Sequence, residues 1–205
     1  MKKSLLIVSL LFFILQSCGL QNDLKTGFKV FTKVSKEFDC LENSFNINTT
    51  NGVKNVDVKL KCKDETGMYN GRVLLEVHRQ LKKEGMKVDN YNLELTEENK
   101  SSTIAAKDLD LGLILEEKAL MIKEKFQQKQ TDFILENSDE DLVKDIERQD
   151  LFKNFDSLIQ SSYPNYTGFN WNESSYQYGF EQDGDHFLIL MFNPKSKKLN
   201  GIRFN

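Results

Sequence analysis

With 28 Lys and Arg against 31 Asp and Glu, this 205-residue chain carries a net charge of −3. It therefore lacks the basic balance that displaces counterions from phosphates, which argues against general nucleic-acid binding. Fifteen Phe and six Tyr supply material for one substantial core or two small ones, while only two prolines, Pro164 and Pro194, exclude a proline-rich stalk.

The chain opens on Met1-Lys2-Lys3-Ser4, a short positive start, and continues with an eleven-residue run, Leu5 to Leu15, apolar apart from Ser9. Such a run rises only about 16 Å as a helix, roughly half of a ~30 Å hydrocarbon core. It describes a secretory signal peptide over residues 1–17 rather than a membrane span. Leu15-Gln16-Ser17-Cys18 follows, with leucine three before a cysteine and a small serine directly before it. This resembles the lipobox of bacterial lipoprotein precursors. The resemblance covers residues 1–18 alone, and no family is apparent for the body of the chain. It implies that Cys18 becomes the first residue and is acylated, with chains such as palmitate. One acyl chain holds only marginally, so the multiple acylation implied here makes attachment effectively permanent. Gly19 stands where an aspartate would signal inner-membrane retention, so the implied place is the outer membrane of the cell envelope.

Residues 18–27 (CGLQNDLKTG) are polar with two glycines and read as a lipidated tether. Phe28, Phe31, Val34, Phe38 and Leu41 then recur at helical intervals, which predicts a helix over 28–42. The period next changes to two. Phe45, Ile47 and Thr49 alternate up to Asn51-Gly52, a strong hairpin signal, and Val56, Val58, Leu60 and Cys62 alternate beyond it. The opposite set (Asn55, Asp57, Lys59, Lys61, Lys63) is polar and rich in lysine, which protects an edge or touches an anionic surface such as acidic glycans. Leu74, Val77 and Leu81 mark a second helix over 69–84, closed by Lys82, Lys83 and Gly85. A strand over 89–97 follows. Residues 28–98 thus read as an α+β unit, hairpin 44–63 and strand 89–97 forming an antiparallel sheet covered on one face.

Cys40 and Cys62 are the two cysteines beyond Cys18. Export would place them where a disulfide persists, and closing a loop of about 22 residues contributes ~3 kcal/mol in the chain-entropy model. The alternative is two buried thiols acting as small hydrophobes. Histidine and cysteine spacings suggest no metal site.

Asn99-Lys100-Ser101-Ser102 is polar and aperiodic, and reads as an internal boundary before a segment 104–205 that either stands alone or joins 28–98 in one domain. Leu115, Ala119, Ile122 and Phe126 predict a helix over 112–130, and Ser138 is an N-cap candidate for the next, which Phe152, Phe155 and Ile159 continue or follow. The C-terminus over 174–204 reads as a β-meander with a turn at Asp183-Gly184. Phe187 to Phe192 is apolar without a break, as in a strand covered on both faces, and a parity slip between Leu199 and Ile202 suggests a bulge at Gly201.

No nucleophile elbow, phosphate-binding loop, dinucleotide fingerprint or zinc-protease motif is present. His78 lies beside a helix's apolar face, and His186 follows a turn whose Asp-Gly the turn itself requires. Asn137, Asp139 and Asp141 open like a calcium loop, but Leu142 and Arg148 stand where glycine and glutamate belong. The acids of 136–150 read as a solvated face or a patch for a basic partner. Tyr163, Tyr166 and Trp171, interleaved with asparagines in a loop before a strand from about Ser174, are the candidate contacts with a ligand or partner. No cofactor is implied. Three functions fit: a non-catalytic envelope module binding a protein or glycan, a tethered protector that blocks an incoming toxin, and a small hydrolase using Asp/Glu acid–base chemistry.

Overall fold

The computed structural model describes residues 21–62, 67–95, 100–149, 165–181 and 187–204. Cys18, Tyr163, Pro164, Phe152, Phe155, Asp183-Gly184 and His186 lie outside them. The chain divides into two compact units that interleave in sequence. Of the described residues, 21–62 and 76–106 belong to the first unit, and 67–75 and 107–204 to the second.

In the first unit, helix α1 (residues 21–37) is followed by strands β1 (Cys40–Thr50) and β2 (Val53–Cys62). The second half of helix α2 (Gly67–Lys83) leads into β3 (Asn90–Leu95) and β4 (Lys100–Ala105). The sheet order is β1-β2-β3-β4. Asn51 and Gly52 both have positive φ (53° and 81°), as a tight hairpin turn requires, and β1 pairs antiparallel with β2. A disulfide joins Cys40 to Cys62, which face each other at the open end of this hairpin. One expectation is corrected here: β3 runs parallel to β2, because the crossover through α2 brings the chain back to the start of the sheet. Asp89 fixes that junction, its backbone N–H donating to Lys54 O at 2.9 Å and its carboxylate accepting from Lys54 N–H at 2.7 Å.

Two further segments differ from the sequence reading. Residues 21–27, expected as tether, are the first turns of α1, and that helix ends at 37 rather than 42, with Asp39 in the left-handed region (φ 53°) turning the chain into β1. Gly27 is buried, and a Cβ there would lie 2.4 Å from the Phe45 ring, so glycine allows α1 to approach the sheet. Residues 100–105, expected as part of a boundary, form β4; Ile104 is their one large apolar residue, and it pairs with Tyr91.

One face of this sheet carries Ile47, Val56, Val58, Tyr91, Leu93 and Ile104, all buried. Phe31 of α1 packs on Phe45 with ring centroids 5.3 Å apart, and buried His78 of α2 places Nδ1 2.9 Å from Tyr91 Oη. The opposite face is polar.

The second unit combines the first half of α2 with α3 (Ala106–Gln127, from residue 107), α4 (Thr131–Glu136) and α5 (Glu140–Gln149). Its sheet is an antiparallel meander, β5 (Asn165–Trp171), β6 (Tyr176–Glu181), β7 (Phe187–Phe192) and β8 (Leu199–Phe204), in that order. Leu188, Leu190 and Phe192 are fully buried, whereas Phe187, Ile189 and Met191 are half-buried, so β7 has one tightly covered face and one looser one. The parity slip in β8 is a bulge, with Asn200 as the extra residue between the partners of Met191 and Phe192. The N-cap of α5 is Asp139 rather than Ser138: Asp139 Oδ1 accepts from Leu142 N–H at 2.9 Å. Ser138 is buried and donates to Ile134 O instead.

Together the two units make an α+β protein with two four-stranded sheets.

Candidate functional site

Residues 165–171 are strand β5 rather than loop, with a bulge at Thr167 between Tyr166 and Gly168. Pro164, Gly168 and the asparagines read as loop, and the bulge breaks the alternation of the rings. Phe169 is fully buried, and Trp171 stacks on it at 5.0 Å and 14° and is half-buried. The amide of Asn172 shapes the β5–β6 turn, its Oδ1 accepting from the backbone N–H groups of Ser174 and Ser175.

Tyr166 faces inward. Its ring lies 5.5 Å from that of Phe180 and 4.8 Å beneath the Arg72 guanidinium, which donates to the Tyr166 carbonyl. Burial, then the nearby Glu116 carboxylate, hold the Tyr166 hydroxyl well above the usual tyrosine range. Tyr178, fully buried, donates to Gly112 O at 2.7 Å, and burial and Glu116 raise it too. Tyr176 is pushed up to about 12 by burial and by Asp108. These phenols stay protonated at neutral pH, and Tyr178 acts as a buried donor. Of the three contact candidates, Tyr163 is outside the described residues, and Tyr166 and Trp171 are both half-buried, Tyr166 with its hydroxyl turned inside.

The polar face of the first unit's sheet is a different kind of surface. Strands β1, β2, β3 and β4 present Asn46, Asn48, Asn55, Asp57, Asn90, Asn92 and Thr103 outward. These side chains form one connected network. Asp57 is its pivot: Oδ2 accepts from Asn48 Nδ2 at 2.8 Å and from Asn46 Nδ2 at 3.3 Å, and Oδ1 accepts from Asn92 Nδ2 at 2.7 Å. Asn92 Oδ1 accepts in turn from Thr103 Oγ1 at 2.9 Å. On the other side Asn55 donates to Asn48 at 3.2 Å, and Asn90 to Asn55 at 3.0 Å. Lys59 and Glu94 flank the network as an ion pair at 2.8 Å.

An open groove of about 210 Å³ runs over this face, lined by Ser44, Asn46, Asp57, Lys59, Asn92 and Glu94 above the backs of Val58 and Leu93. Each asparagine amide has two N–H donors and a carbonyl with two lone pairs, so one bond to a neighbour leaves capacity for a ligand. Their mutual bonds hold the amide planes in place before anything binds, which lowers the ordering cost of recognition. The arrangement is an array of planar donors and acceptors at strand spacing, about 4.8 Å apart across the sheet. Among the described residues no group of three or more His, Cys, Asp or Glu is placed to hold a metal ion.

The outward position of Asn55, Asp57 and Lys59 was legible from alternation in β2. The rest was signalled by asparagines at outward positions of three strands (46 and 48, 55, 90 and 92), a residue that strands ordinarily avoid. Comparison of the chain with protein-family models, with curated proteins and with solved structures gave no match.

Proposed function

We propose that this chain is a non-catalytic binding module of the cell envelope, anchored to the outer membrane through lipid on Cys18. Its ligand is a polyhydroxylated one, an envelope glycan, held on the polar face of the first unit's sheet. The observation that carries this reading is the asparagine network around Asp57: five amides and one carboxylate already oriented across an open groove. A strand face needs only solvated side chains to stay soluble. A connected array of amides with unused donors and acceptors matches vicinal hydroxyls, which both donate and accept. Two features support the envelope setting: the lipobox-like residues 15–18 and the Cys40–Cys62 disulfide, a bond that persists in oxidising compartments.

The test is retention of the purified mature protein on insoluble cell-wall glycan, beside the variants Asp57→Ala and Asn92→Ala. Losing hydrogen bonds to a carboxylate should weaken binding by about tenfold or more for Asp57→Ala, with folding intact by circular dichroism. Equal retention of parent and variants, or no retention of the parent, contradicts the reading.

A further inference from the structure

The solvent side of α1 is not uniformly polar. Val30, Phe31, Val34, Ser35 and Phe38 are buried against the first unit, as the periodicity requires. At the edge of that buried face, between it and the outer side of the helix, Phe28 is 66% exposed and Leu24, one turn earlier, 36%. An aromatic ring left that open on a helix with a well-filled apolar face is not needed for the core. Next to this pair on the helix surface lie Lys25, Lys29, Lys33 and Lys36, all exposed. Lys29 also reaches Glu84 at 3.8 Å, an exposed pair of little strength. Apolar side chains beside a row of lysines are the composition of a helix that lies in a membrane interface.

Position in the chain says what covers the strip. Residue 21 is already helical and stands three residues after Cys18, a reach of about 10 Å at full extension. Phe28 is two turns further, another ~10 Å along the axis. On the reading that Cys18 carries lipid, the bilayer surface is thus within reach of α1.

We infer that α1 lies against the membrane that holds the anchor, with Leu24 and Phe28 entering the interface and the lysines meeting anionic headgroups. Each lysine held near such a surface strengthens the association about fivefold, and the apolar pair adds to that. The consequence is orientation. α1 covers the apolar face of the sheet, and the asparagine network occupies the opposite face, so the network points away from the bilayer toward the aqueous space.

The inference rests on the lipid anchor, and its test separates the two. Mature Phe28→Trp protein, purified with its lipid, is reconstituted into vesicles of phosphatidylethanolamine and phosphatidylglycerol whose acyl chains carry bromine, with the parent as the baseline for Trp171. The indole at position 28 should add emission that is blue-shifted and roughly halved by the brominated lipid, as for side chains buried several ångströms into the interface. Lys25→Gln, Lys29→Gln and Lys33→Gln, combined with it, should reduce that quenching. Mass analysis of the N-terminal peptide reports the anchor independently. If Cys18 is acylated and position 28 is unquenched, α1 does not lie on the membrane although the anchor stands. A blue shift without quenching assigns the strip to a protein partner or a second copy and overturns the inference. An unmodified Cys18 removes both.

Discussion

Phe169 shows how a single ring organises the second unit. It is fully buried, with Trp171 at 5.0 Å, Tyr178 at 5.3 Å and Tyr176 at 6.0 Å between ring centroids. Phe169→Ala should cost about 3–5 kcal/mol by chemical denaturation, as for other buried aromatics, whereas Trp171→Ala, at the solvent edge of the same stack, should cost only about 1–2 kcal/mol. Tyr176 adds a pH dependence. Its hydroxyl is raised to about 12 in the folded state against about 10 in the unfolded chain. The unfolded state therefore releases this proton first. Its contribution is fully present below pH 10 and is lost as pH rises toward 12, so alkaline stability should fall over that window and fall less in Tyr176→Phe. A profile identical in parent and variant would contradict this assignment. That tyrosines 176 and 178 point inward was readable from their alternation with Gln177. The burial of Tyr166 was not, because it depends on Arg72 and Glu116, which lie far from it in sequence.

At the level of elements, glycine decides how closely helix and strand approach. A Cβ on Gly71 of α2 would lie 1.9 Å from the Phe169 carbonyl oxygen, and one on Gly168 of β5 would lie 2.4 Å from Met68 Cβ. Backbone and a first side-chain atom cannot move aside as a flexible tip can. Gly71→Ala should destabilise the protein by at least 1–3 kcal/mol, roughly the cost of overpacking, measured by thermal unfolding; an unchanged Tm would show that the helix and strand are not this close. The hairpin is held differently. Cys40 and Cys62 are 22 residues apart, so reducing their disulfide should cost about 3 kcal/mol. Non-reducing mass analysis of a peptide digest checks the pairing. Strands with strong alternation, such as β2 and β6, were legible in sequence, and so was the Asn51-Gly52 turn. β4 and β5 were not. Lys-Ser-Ser-Thr offers no alternation, and β5 interrupts its aromatics with asparagine and glycine, residues whose local preference is for turns. Parallel pairing of β2 with β3 is set by a crossover of more than twenty residues, and short-range pattern does not encode it.

For the whole molecule, the first unit presents two opposed surfaces. One side of its sheet is covered by α1, the helix nearest Cys18, and the other displays the network centred on Asp57. On the proposed reading, that opposition would set the membrane on one side and the ligand on the other. The aqueous face was half legible. Outward parity in β2 could be read directly, but the meeting of asparagines from β1 and β3 at one carboxylate required the fold. Everything in this arrangement depends on where the chain is attached. The mass of the N-terminal peptide, from protein extracted out of the cell envelope, tests that attachment most directly. The account predicts a peptide that begins at Cys18 and carries two or more acyl chains, and release from the membrane fraction, or an uncut precursor, in Cys18→Ala. A peptide beginning elsewhere, a free Cys18 thiol, or a Cys18→Ala variant that is processed and membrane-bound like the parent would contradict it.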